Sequence, residues 1–146
     1  MQQPTTVPDA TNEALRHRQE LIADTTRSGM RVARDLSEST DTWLQLVWTQ
    51  AAADTSSGKP LALVAIGGYG RGDLAPFSDL DLLLVHDGVK DIDAVASRLW
   101  YPIWDAGVKL GHAVGTVKQV LELARTELDT ATALLTVRHI AVDASL

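Results

Sequence analysis

Residues 65–85 read AIGGYGRGDLAPFSDLDLLLV. The stretch starts at the end of an apolar run, LALVAI (61–66), which has the pattern of a buried strand. Four glycines and a proline follow within 67–79, and a second apolar run, LDLLLV (80–85), closes the segment. One acid, Asp81, interrupts that run, and Asp79 stands just before it. On a strand, residues two apart share a face, so both carboxylates point one way, about 7 Å apart along the chain. Leu80, Leu82 and Leu84 then face the core. Carboxylates this close repel each other and are costly beside a core strand. A divalent cation removes that cost; oxygen ligands suit Mg²⁺, and two ions about 3.5–4 Å apart can share such a pair. The plain alternative is a polar strand end facing water.

Gly67 and Gly68 follow the first strand directly, where α/β folds place phosphate-binding turns. Glycine lets backbone approach a phosphate closely, and a helical turn after it offers free N–H groups. The spacing is not a P-loop, because no G-K-[ST] follows. Nor is GGYGRG a dinucleotide fingerprint, because the next segment is a strand rather than a long helix. Arg71 suits a phosphate contact or a solvated loop. Ser78 can hydrogen-bond a phosphate or cap the turn. Tyr69 and Phe77 either pack the loop or border a nucleotide base, packing being the expectation.

Outward from this segment, 12–53 read as helical, with Leu15, Leu21, Ile22, Met30, Ala33 and Leu36 recurring near helical spacing. SESTDT (37–42) predicts a break, and a second helix from Asp41 presents Trp43, Leu44, Val47, Trp48 and Ala51. Arg16, Arg18, Arg27, Arg31 and Arg34 read as a solvated face. DTSSGKP (54–60) is a turn signal. After a turn at Asp87-Gly88, Asp91 or Asp93 can cap a helix through Ala106, kinked at Pro102, with Trp100, Tyr101 and Trp104 in the core or a helix contact. A third strand is expected over 109–117. Thr116 with Gln119 resembles a capping box for a helix to about Arg125, and a last helix is expected over 130–141. The domain scheme is a disordered tail over 1–11, N-terminal helices over 12–56 and a core over 57–146. The order α-α-β-loop-β-α-β-α-α is an α/β (α+β) fold with a small mixed sheet flanked by helices and a helical N-terminal segment.

The chain has 146 residues, 45% of them hydrophobic, which suits one globular domain. Its formal net charge of -6 argues against unspecific DNA binding. With no cysteine, disulfides, thiolate metal sites and Cys nucleophiles are out. The apolar runs are too short to span a bilayer, and the polar start has no signal-peptide core, so no membrane partner and a cytoplasmic location are expected.

Gly67-Gly68 followed by Asp79-Leu80-Asp81 resembles the signature of the DNA polymerase β-type nucleotidyltransferase superfamily. GGYGRGDLAPFSDLDLLLV (67–85) is similar, almost residue for residue, to the nucleotidyltransferase domain of bifunctional PII uridylyltransferase/uridylyl-removing enzymes. WYPIWDAGVKLGH (100–112) resembles the second block of that family. Asp129, Thr132, Leu134-Leu135 and Arg138 resemble a third.

The resemblance implies a polymerase β-like fold and Mg²⁺-dependent nucleotidyl transfer. Gly67 and Gly68, with Arg71 and Ser78 beside them, would bind the triphosphate of UTP or ATP. Asp79 and Asp81 would be catalytic and would ligate Mg²⁺. The acceptor would be a tyrosine hydroxyl of PII, the nitrogen regulatory signal protein, receiving UMP or AMP. Two departures stand out. The superfamily's third acid, expected on a later strand, is absent from 109–117, where His112 lies; Asp105 and Asp129 are other carboxylates. The family often reads H-S-V-R where this chain has His112-Ala113-Val114-Gly115. The family's HD and ACT domains do not fit in 146 residues, and His86-Asp87 reads as a turn, so a fragment is expected. The alternatives are an inactive nucleotide-binding fragment and a stand-alone minimal nucleotidyltransferase with another acceptor.

Overall fold

The computed structural model describes residues 6–53 and 58–142. The elements in order are α1 (Val7–Ala23), α2 (Met30–Ala52), β1 (Leu61–Ala65), a single helical turn α3 (Gly67–Gly70), β2 (Leu80–His86) and α4 (Ile92–Asp105). Then come β3 (Leu110–Gly115), α5 (Val117–Thr126), α6 (Leu128–Ala133), a 3₁₀ turn (Leu134–Thr136) and β4 (Arg138–Val142). The sheet runs β3-β2-β1-β4. β1 is antiparallel to β2 and β4, whereas β2 and β3 are parallel and joined by α4. This is the mixed sheet flanked by helices that the pattern predicts.

The strand register sorts side chains to two faces. Leu61, Leu63 and Ala65 of β1 pair with His86, Leu84 and Leu82 of β2. On that face Leu63, Ala65, Leu82 and Leu84 have no exposed surface. Trp43, Leu44, Val47, Trp48 and Ala51 of α2 and Val95, Leu99, Trp100 and Ile103 of α4 cover it. Burying a side chain of this kind contributes about 1.5–3 kcal/mol, so this layer dominates stability. Asp81 stands on the opposite face, outside the core layer.

Several expectations are corrected. α2 runs unbroken through 37–42 because its hydroxyls bond back along the helix: Ser37 Oγ to the Ala33 carbonyl at 2.8 Å and Thr40 Oγ1 to that of Leu36 at 2.7 Å. The break lies instead between Ala23 and Met30, where Gly29 has φ 85°. α1 starts at Val7, inside the segment read as a disordered tail, because Thr6 and Asp9 form a capping box. Met1–Thr5 lie outside the described residues, as do 54–57 of the expected turn. In place of a last helix over 130–141, α6 ends at Ala133 and β4 closes the sheet edge on β1. The capping box of Thr116 and Gln119 forms as predicted. Trp100 is buried, but Tyr101 and Trp104 are exposed, as is Phe77. Arg18 is buried rather than solvated.

Candidate active site

The site lies where β1 turns through α3 and returns along β2. Gly67 opens the turn with φ +61°, a left-handed conformation that glycine adopts without strain. The Gly70 and Arg71 amides donate to the carbonyls of Ile66 and Gly67 at 3.0 and 3.1 Å, which closes the turn. Tyr69 points inward and is 1% exposed. Its hydroxyl donates to Asp41 Oδ1 of α2 at 2.5 Å. Arg138 of β4 pairs with the other Asp41 oxygen, donates to the Tyr69 carbonyl at 2.9 Å and stacks over the Tyr69 ring at 5.0 Å. Thr136 Oγ1 donates to the Gly67 carbonyl at 3.1 Å. The turn is therefore anchored from α2, from β4 and from the 3₁₀ turn. Burial, then the Asp41 carboxylate, holds the Tyr69 phenol far above its ordinary pKa, so it is neutral and donates.

Asp81 is the second residue of β2, and its amide carbonyl accepts from Ile66 N at 3.0 Å. This bond ties the strand to the entrance of the turn. Its Cα partner on β3 is Gly111. A Cβ built on Gly111 would lie 2.3 Å from Asp81 Oδ1, and one built on Gly67 would lie 3.3 Å from Oδ2. The carboxylate is seated between two glycines, one from each flanking segment. Asp79 is exposed and directly precedes β2, two residues before Asp81. Burial, and then the Asp79 charge, raise the Asp81 pKa. Neither carboxylate has a hydrogen-bond or ion-pair partner among the described residues. An unpartnered carboxylate whose ionised form is disfavoured by burial and by a neighbouring carboxylate fits a hard divalent cation. Among the described residues no group of three or more His, Cys, Asp or Glu gathers at one point.

The other expected residues fall as follows. Gly68 lies on the α3 turn, and Arg71 Nη2 is 3.5 Å from where its Cβ would be. Arg71 is exposed and Nε faces Asp73 Oδ2 at 3.4 Å. Ser78 Oγ donates to the Ala75 carbonyl at 2.9 Å, the turn-capping arrangement. His112 is not beside the carboxylates. It pairs with Leu82 and so projects to the helical face, edge-on to Trp100 at 5.3 Å and Trp104 at 5.5 Å. The β3 positions on the carboxylate side are Gly111, Ala113 and Gly115. Asp105 and Asp129 are exposed, at the end of α4 and on α6.

Sequence reasoning missed Gly111, Asp41 and Thr136. Gly111 sits inside the 100–112 block, but its glycine reads there only as a weak strand former. Asp41 reads as a helix cap, and nothing local links it to residues 28 and 97 positions away.

Comparison with known proteins bears on the whole arrangement. The model of the nucleotidyltransferase domain family matches residues 51–142. A bifunctional uridylyltransferase/uridylyl-removing enzyme of Streptomyces coelicolor is 47% identical over 128 residues, 86% of this chain and 15% of that protein. One from Mycobacterium tuberculosis H37Rv is 46% identical over 113 residues, 72% of this chain and 14% of that protein. One from Phenylobacterium zucineum is 37% identical over 126 residues, 81% of this chain and 13% of that protein. The chain thus spans under one sixth of the length of these relatives.

Proposed function

Since the chain belongs to the nucleotidyltransferase domain family and is of the transferase type, we propose that it transfers UMP, or AMP, from the nucleoside triphosphate to a tyrosine of PII in the cytoplasm. The observation that carries this reading is the Asp81 carboxylate, unpartnered and held between Gly67 and Gly111, with Asp79 beside it. The relatives named as uridylyltransferases support UTP as the donor, and the 67–85 and 100–112 blocks support PII as the acceptor.

Asp79 and Asp81 are the residues that would hold Mg²⁺. The ion supplies charge neutralisation at the α-phosphate and at the leaving pyrophosphate. The α3 turn presents Gly67 and Gly68 to the triphosphate without side chains in the way. Arg71, next to Gly68, is placed to meet phosphate oxygens, at the loss of a long and exposed contact to Asp73. Tyr69, Asp41 and Arg138 fix the turn from below, so the backbone donors are in place before substrate arrives. The tyrosine oxygen of the acceptor attacks the α-phosphorus, the bond to pyrophosphate breaks, and the phenolic proton leaves to solvent.

A second reading, nucleotide binding without transfer, is favoured by one observation: the carboxylate side of β3 offers Gly111, Ala113 and Gly115 and no acid. Incubation with PII, Mg²⁺ and either UTP or ATP, read by intact mass, separates the two. A UMP or AMP adduct on PII that is lost in Asp81→Asn supports transfer. No adduct, with nucleotide binding retained, supports the second reading.

A further inference from the structure

Arg18 is a buried cation with no counter-ion among the described residues. It projects from α1 with 4% of its surface exposed. Nε donates to Thr40 Oγ1 at 3.0 Å, and the guanidinium lies 5.9 Å from the centre of the Trp43 ring. Its two Nη groups have no acceptor among the described residues, and no described carboxylate pairs with it. Burial lowers its pKa. A guanidinium this enclosed, with no carboxylate partner among the described residues, suits an anion.

Arg18 lines a cavity of about 400 Å³ together with Gln19, Ile22, Phe77, Ser78 and Lys109. Among the described residues no acidic one lines it, in a chain of formal net charge -6. Arg18 and Lys109 are the two cations of its lining, and the Ser78 hydroxyl, which donates to the Ala75 carbonyl, keeps its oxygen lone pairs. It is separate from the α3 turn and reaches the carboxylate pair only through Ser78, which precedes Asp79, and Lys109, whose carbonyl accepts from Leu80 N at 2.9 Å.

We propose that this cavity binds a small oxyanion of the phosphate class, with Arg18 as the forked donor and Lys109 as the second charge. A planar guanidinium with both Nη groups open matches two phosphate oxygens, and an ammonium adds attraction without a fixed direction. The anion comes either from free phosphate or from a phosphate of a nucleotide, and the two sources are separable. The inference does not depend on the transfer reaction.

The test is a titration of the 146-residue chain with inorganic phosphate, without Mg²⁺ and against chloride at equal ionic strength, read by melting temperature. Wild type shows a saturable rise, because an anion that binds only the folded state stabilises it by mass action. Asp81→Asn keeps the rise, which separates this site from the carboxylate pair. Arg18→Gln, freed of an uncompensated charge, melts no lower than wild type in phosphate-free buffer, and its phosphate affinity falls at least tenfold. Lys109→Ala, at an exposed position, weakens phosphate severalfold and carries the test if Arg18→Gln fails to fold. A parallel titration with UTP and Mg²⁺ names the source. Unchanged UTP affinity in the Arg18 and Lys109 variants assigns the site to free oxyanion, and a matching fall assigns it to the nucleotide. Absence of a phosphate-specific rise in wild type, or a rise that survives both substitutions, overturns the proposal.

Discussion

The Asp81 carboxylate fills the space that a side chain at Gly111 would need, with Oδ1 2.3 Å from the position of a built Cβ. The two residues are Cα partners across the parallel β2–β3 ladder, so neither strand can slide aside without breaking the pairing. Gly111→Ala therefore pushes Asp81 off its seat beside Gly67. We expect Mg²⁺-dependent nucleotide affinity to fall at least tenfold, with little change in urea denaturation, because the close contact is with the free end of a side chain that can turn aside. Gly115→Ala on the same strand is the control. Its Cβ meets nothing closer than Gln119 Oε1 at 3.4 Å, and nucleotide affinity should stay at the wild-type value.

Asp81→Asn should stabilise the metal-free chain while abolishing transfer. Burial and Asp79 raise the Asp81 pKa above its unfolded value, so the folded state disfavours the ionised form. That penalty is absent below the carboxylate range near about pH 4 and grows as pH rises through it. Melting curves of wild type and Asp81→Asn should therefore coincide in acid and separate toward neutrality, with the variant higher. Losing an ion's ligand should cost transfer about 10²-fold or more. A variant that melts lower than wild type at neutral pH contradicts the electrostatic account.

The anchoring of the α3 turn gives a graded series. Tyr69→Phe removes one donor to Asp41 and should cost about 1 kcal/mol in urea denaturation. Arg138→Leu removes the Asp41 pairing, the Tyr69 carbonyl contact and the ring stacking together, and should cost about 2–4 kcal/mol. In the double variant the losses should not add, because all three residues share one network. Additive losses would mean that the contacts act separately.

Much of this was legible from the chain alone. The pairing of Gly67-Gly68 with Asp79 and Asp81 fixed two strands, the turn between them and the face of Asp81, because period-2 alternation and turn glycines are local signals. The α2 face was legible for the same reason, as Trp43, Leu44, Val47, Trp48 and Ala51 repeat at helical spacing. β4 was not legible. Its pairing with β1 carries a register shift between Leu63 and Val64, so Ile140 and Ala141 are both buried and the alternation is lost. The expected break at 37–42 failed because Ser and Thr cap helix ends in an open chain but bond to the preceding turn when buried. The side taken by His112 and the burial of Arg18 depend on strand register and helix packing, which only tertiary structure decides.

The central claim is that Gly67, Gly68, Asp79 and Asp81 form one Mg²⁺–nucleotide site, and nucleotide titration of the chain tests it most directly. Melting temperature is followed against UTP and against ATP, with and without Mg²⁺, in wild type, Asp79→Asn and Asp81→Asn. The account predicts a saturable, Mg²⁺-dependent rise in wild type with at least one nucleotide, and its loss in both variants. No rise with either nucleotide in a folded wild-type sample, or a rise that both variants keep in full, would contradict it.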